Sequence, residues 1–390
     1  MFIRFLGAMK VLIKADLVLG PYKPLRNVYI GIEEGQIKVI SKEEPEEYEY
    51  AEYIIGGENR VVIPGFVTTH SFIYLYPFRY RIFSGKINAF QLLSTLSPND
   101  IYYFSLMGAY HLLRTGVTTV VTSGPNLDMI ARAISEVGLK PVLAVGVDCP
   151  DSKEDWEREF ITLYNRWSSK NENRVILRLC SEEYSKEVFE ISQQYNLPVL
   201  LERFVSLENM NSAVNVIGLG GGARKDLEII KQKGFSLAFT PSYEVSQFPL
   251  SQYKPSISLD LTPSFDIRHE ASASLTRLLL TPEEALNAMT IWGYSQLKYN
   301  DRGVIENNKV ADLTIYEIKE PPAFPLDIES PYESIIFNLS YPETVMVNGE
   351  AVLDGGVPLN VGLKHIEKAI ERLADVDKRT SKETRHLEKS

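Results

Sequence analysis

Val61-Val62-Ile63-Pro64-Gly65-Phe66-Val67-Thr68-Thr69-His70-Ser71-Phe72 is a short apolar run, rich in β-branched residues, broken once by Pro64-Gly65 and closed by a histidine. The break and the branching oppose a helix, so the run reads as one buried parallel strand that delivers His70 where it stops. In an α/β barrel the carboxyl end of a strand is where chemistry sits. Phe72, two residues on, points to the same side of an extended chain as His70.

Working outward, strands alternate with helices, the pattern of a parallel sheet. Val117 to Thr122 is strand two, Pro141 to Val147 three, Val175 to Leu179 four and Pro198 to Leu201 five. Val214 to Ile217, Ser236 to Phe239 and Ile257 to Leu261 supply six to eight. Ser97-Pro98-Asn99-Asp100 opens a helix to Arg114 with a hydroxyl cap, a first-turn proline and a third-position acid. Thr281-Pro282-Glu283-Glu284 does the same for a helix over Ala285 to Leu297. Leu12 to Val18, Val28 to Ile32, Gln36 to Ile40 and Glu52 to Ile55 read as short strands. Similar segments return at 309–316 and 344–353, so the two chain ends are expected to build one composite β-sandwich. Leu363, Ile366, Ile370 and Leu373 share one face of a final amphipathic helix to Val376, with a charged, frayed end beyond Lys378.

A chain of 390 residues can bury a large core and holds one barrel with an appended module. Its formal charge of -10 disfavours nucleic acid and anionic membrane surfaces. It contains no run of about 18 apolar residues that would span a bilayer. The opening MFIRFLGAMKVLIKADLVLG is apolar but lacks a clean cleavage site, and it alternates Val11, Ile13, Ala15, Leu17, Leu19 as a strand does. Cys149 and Cys180 lie far apart in the chain without a spacing motif, so they are expected to be reduced, partly buried thiols of a cytoplasmic protein.

The 61–72 stretch resembles the first barrel strand of the amidohydrolase superfamily, in its cyclic deaminase and chlorohydrolase branch, whose pattern is V-I-P-G-F-V-N-x-H-x-H. The likeness extends to the closing helix, LTPEEALNAMTIWGYSQL, and to the flanks at Lys309–Tyr316 and Thr344–Leu353. It implies a (β/α)8 TIM-type barrel over residues 63–302, a composite sandwich from 1–62 and 303–361, and a terminal helix with a charged tail over 362–390. It also implies metal-dependent hydrolysis of non-peptide C-N bonds, and commonly a homodimer.

A hydrolase of that kind needs three or more metal ligands, an activated water and a nearby acid or base. His70 fills the first ligand position and is the only family ligand retained. Phe72 replaces the second. The strand-five histidine falls at Glu202, the strand-six histidine at Gly218 and the strand-eight aspartate at Thr262. Asp260, two residues earlier, is a displaced candidate one layer deeper. Two readings stand side by side. In one, His70, Glu202 and Asp260 form a rearranged catalytic site. In the other, favoured here, His70 is a hydrogen-bonded core histidine, Glu202 and Asp260 pair with arginines, and the barrel binds a small ligand or a partner with no metal or other cofactor. A divalent ion such as zinc belongs to the first reading only.

His111 lies mid-helix, His269 lies in the first turn after strand eight, and His365 and His386 belong to the tail. The loop from Phe72 to Phe90 alternates aromatic and basic residues, among them Tyr74 and Arg79, and reads equally as a pocket wall, an interface or a lid. Phe72, Tyr74, Arg79, Thr262 and His269 are the candidates for ligand contact. Gly218 to Gly222 offers backbone N-H groups to an anion but does not match a dinucleotide-binding loop.

Overall fold

The computed structural model describes residues 9–169, 172, 174–203, 205, 206, 208, 210, 215–220, 227–337 and 341–387. Eight parallel strands follow one another in chain order round one sheet. Numbered one to eight, they are Phe66–Thr68, Val117–Thr122, Lys140–Val147, Val175–Leu179, Pro198–Leu201, Asn215–Leu219, Ser236–Phe239 and Ser256–Ile257. The sheet closes where the backbone beyond strand eight meets strand one. Thr69 N-H donates to the Ile257 carbonyl at 3.1 Å and Leu259 N-H to the His70 carbonyl at 2.9 Å, and Ser71 bridges Asp260 in parallel. The residues that shut the barrel are therefore those that carry His70 and Asp260.

Alternation sorts the side chains. Val67, Val121, Ala144, Ile176, Leu200, Ile217, Leu219 and Ala238 form one inner cluster with Tyr294 and Tyr299. The outward residues pack into a larger core with the helices. By that parity Arg178 and Glu202 face inward near the mouth. Gly218 faces outward, contrary to its assignment as a ligand position.

The 61–69 run is two strands rather than one. Arg60–Pro64 pairs antiparallel with Leu313–Glu317 and parallel with Val11–Val18 in a second sheet, whereas Phe66–Thr68 pairs with strand two. Gly65 makes the transfer, because a Cβ there would stand 2.4 Å from Thr118 Cγ2. That second sheet has nine strands drawn from both chain ends. It encloses its own core of Val11, Ile13, Ala15, Ile30, Val62, Leu313 and Ile315, so the composite sandwich is present. It is tied to the barrel through Lys140, whose Nζ bonds both Asp312 carboxylate oxygens at 3.0 and 2.8 Å in a fully buried pair.

Pro98–Arg114 carries the expected capping box of Ser97 and Asp100. The helix expected over 285–297 breaks at Thr290 (φ -125°, ψ -106°) into Pro282–Met289 and Ile291–Gln296. The break brings Gly293 against Val67 and the Tyr294 hydroxyl within 2.8 Å of Thr118 Oγ1. The last helix runs on to Leu387 rather than fraying after Lys378. Arg81 pairs with Asp377 at 2.6 Å and Arg379 with Asp100 at 2.7 Å, which pins the helix past Val376.

Cys149 and Cys180 form a disulfide with Cα atoms 5.1 Å apart, so the expectation of free thiols is wrong. Cys180 follows directly on strand four and Cys149 lies two residues past its parallel neighbour, strand three, and the barrel sets those strand ends side by side. Among the described residues no helix is long and apolar enough to cross a membrane.

Candidate functional site

His70 sits two residues beyond strand one and is 1% exposed. Its Nδ1 lies 2.6 Å from Asp260 Oδ1 and its Nε2 lies 3.0 Å from Ser123 Oγ, the residue just past strand two. Asp260 reaches His70 because it leaves the extended conformation, with φ +40°. Strand eight, Ser256–Ile257, is shorter than the expected Ile257 to Leu261. The second Asp260 oxygen accepts from Thr240 Oγ1 at 3.0 Å and faces Arg203 Nη2 at 3.3 Å. Burial works against the Asp260 charge, but the bonds and charges of His70, Arg203 and Thr240 outweigh it and hold the carboxyl below its ordinary value. An ionised Asp260 only accepts, so Nδ1 carries a proton toward it. In the neutral ring Nε2 then accepts from the Ser123 hydroxyl.

Phe72 stands edge-on to His70, ring centres 4.8 Å apart. Over the same phenyl lies the Arg178 guanidinium, 5.2 Å from its centre. Arg178 is buried, pairs with Asp151, and has Nη1 3.6 Å from Glu202 Oε1. Its Nε and Nη1 are buried and have no hydrogen-bond partner among the described residues. These side chains open on a cleft of about 340 Å³ lined by Phe72, Arg178, Glu202, Arg203, Tyr243 and Asp260 among others.

A buried carboxylate stands behind Tyr243, bonded to its neighbour Ser242. Glu270 accepts from Ser242 N at 2.8 Å and Ser242 Oγ at 2.6 Å, fixing the turn that presents Tyr243. Burial first, then the charges of Asp260 and Asp266, push its carboxyl up to about 7 against the Ser242 bonds.

Of the residues singled out from the sequence, His70, Phe72, Glu202 and Asp260 come together at this mouth. Thr262 is buried and accepts from Phe265 N at 3.2 Å, holding the turn into the helix Ile267–Arg277. Tyr74 is buried with its ring against Gly124. Arg79 donates to the Pro263 carbonyl at 3.2 Å and stacks on Tyr76 and Tyr80, bracing the loop. His269 is exposed on its helix and does not line the cleft. His111 is partly buried and stacks on Tyr76. The stretch 221–226 and the side chain of His386 lie outside the described residues. Sequence reasoning missed Ser123, Arg178, Arg203, Thr240 and Glu270. Arg178 alone carried a readable signal, a charge at an inward position of the strand Val-Ile-Leu-Arg-Leu. Among the described residues no three His, Cys, Asp or Glu side chains are grouped to hold a metal ion.

Fold and site define a TIM-type barrel with a composite sandwich and a polar mouth at the carboxyl ends of its strands. No family model matches the chain. It is 22% identical to a 5-methylthioadenosine/S-adenosylhomocysteine deaminase of Halothermothrix orenii, covering 94% of this chain and 99% of that one. To a 5'-deoxyadenosine deaminase of Methanocaldococcus jannaschii it is 24% identical, covering 90% and 99%. Among solved structures, an adenosine deaminase from Xanthomonas campestris with bound zinc superposes with a TM-score of 0.81 at 15% identity, over 94% of this chain and 98% of the other. An amidohydrolase from a Sargasso Sea sample gives 0.78 at 16%, over 95% and 100%. Over nearly its whole length the chain is similar to these deaminases, and it shares the fold of the solved adenosine deaminase and amidohydrolase.

Proposed function

We propose that this chain is a barrel of C-N hydrolase descent that takes a small polar molecule into the mouth cleft without activating water on a divalent ion. The observation that carries this is the Arg178 guanidinium, buried over Phe72 and beside Glu202. A fixed cation stands among the residues that would have to bind another, and a phenyl ring stands where a second imidazole would donate. The donor set does not fit a catalytic metal: both His70 nitrogens are engaged, and Glu202 and Asp260 each face an arginine. The guanidinium groups of Arg178 and Arg203, which line the cleft, instead suit a carbonyl or carboxylate oxygen of a ligand whose flat part lies against Phe72 and Tyr243.

The test is ammonia release from 5'-deoxyadenosine, methylthioadenosine and S-adenosylhomocysteine, the compounds for which the relatives are named, with and without added zinc. No release under either condition is expected. Zinc-dependent release from any of the three would overturn the reading.

We further propose a homodimer, supported by the exposed Tyr80, Phe83 and Phe90 of the loop after strand one. Light scattering at micromolar concentration should give about twice the 44.2 kDa chain mass, and the monomer mass would contradict it.

A further inference from the structure

The Ser123, His70 and Asp260 side chains form an unbroken hydrogen-bonded chain, hydroxyl to imidazole at 3.0 Å and imidazole to carboxylate at 2.6 Å. They come from the ends of three different strands and meet at the barrel mouth. The order of groups is that of a nucleophile, its general base and the acid that orients the base. A core histidine needs its two nitrogens satisfied but does not need a carboxylate held by a residue at φ +40°, with Thr240 and Arg203 steadying its other oxygen. Ser123 is fully buried and His70 nearly so. What separates His70 from the cleft is the ring of Phe72, which is itself half-buried and lines that cleft. Phe72 thus fills a ring-sized volume between the imidazole on one side and the Arg178 guanidinium on the other.

We propose that Ser123 is a nucleophile, with His70 as its base and Asp260 orienting the imidazole, and that Phe72 is the gate a substrate displaces. The substrate class is a small carboxylic ester or amide with a flat acyl group. The Ser123 Oγ forms a bond to the carbonyl carbon as its proton passes to His70 Nε2. The C-O or C-N bond to the leaving group then breaks, and the alcohol or amine departs with that proton. Water, deprotonated by the same nitrogen, releases the acid and restores the serine. Arg178 and Arg203 line the cleft and are the cations a carbonyl oxygen held there would meet. This inference rests on the reading that no metal acts at the mouth.

The experiment uses the native full-length chain and phenylmethanesulfonyl fluoride, in which attack by a serine forms an O-S bond and expels fluoride. Intact mass and peptide mapping should find one sulfonyl group, on Ser123. Labelling should be lost in Ser123→Ala, slowed at least 100-fold in His70→Gln and accelerated in Phe72→Ala. Absence of a Ser123 adduct in both the native chain and a folded Phe72→Ala variant would overturn the proposal, and so would labelling of equal rate in His70→Gln. Zinc content measured on the same samples separates the failures. No adduct with no zinc defeats the triad alone, whereas a stoichiometric ion held by His70 defeats the metal-free reading with it.

Discussion

Arg178 holds its guanidinium 5.2 Å above the Phe72 ring while sharing Asp151 and Glu202 as counter-ions. The two residues sit on strand four and just past strand one, so they bind opposite sides of the mouth together. An imidazole placed at 72 would have the buried Arg178 charge beside it.

The same pairing predicts a stability effect. Arg178→Met keeps much of the volume but leaves two largely buried carboxylates without their cation, and removing one partner of a buried pair costs about 3–5 kcal/mol. Denaturant unfolding should show a loss of that order. A change below about 1 kcal/mol would mean the guanidinium is not what neutralises Asp151 and Glu202.

Glu270 predicts a pH dependence. Its carboxyl is raised from 4.5 to about 7 in the folded chain. Between those values the folded state keeps a proton the unfolded state has lost, so the stability tied to this group is full below 4.5, falls as pH rises through the window and levels off above about 7. The fall should be on the order of 3 kcal/mol, since one unit corresponds to about 1.4 kcal/mol. Unfolding of Glu270→Gln measured across the same window should be flatter than that of the native chain by this amount. Parallel curves would show that Glu270 ionises normally.

The Cys149–Cys180 disulfide closes a loop of sequence separation 31, which in the chain-entropy treatment stabilises by roughly 3–4 kcal/mol. Thiol titration under denaturing, non-reducing conditions should find no free thiol, and the Cys149→Ser/Cys180→Ser pair should melt lower. Two titratable thiols in untreated protein would contradict the bond.

Much of the fold could be read from the chain because apolar runs and caps are local signals. Strands two, four, five and seven lie where hydrophobic runs end in turn residues, and Ser97 with Asp100 marks its helix start. What was not legible depended on neighbours. Cys149 and Cys180 read as unrelated thiols until strands three and four are set side by side. The transfer at Gly65 is invisible without Thr118 pressed against it. The break at Thr290 serves the contact of Tyr294 with Thr118 and not any helix-stopping residue. At the site, His70 and Asp260 could be named, but a carboxylate two positions short of its family place was expected to lie a layer deeper. The positive φ at Asp260 turns it onto the histidine instead. Ser123 follows a strand like many other serines, and only its distance to His70 distinguishes it.

The central claim is that Phe72 and Arg178 stand where a catalytic ion would be held. A crystal structure of metal-replete, tag-free protein, with anomalous data at the zinc edge, tests it directly. The account predicts no anomalous peak at the mouth, with Phe72 packed on His70 and Arg178 between Asp151 and Glu202. A peak bound by His70 Nε2 with Glu202 or Asp260 oxygens at about 2.0–2.2 Å, and Arg178 swung away, would contradict it.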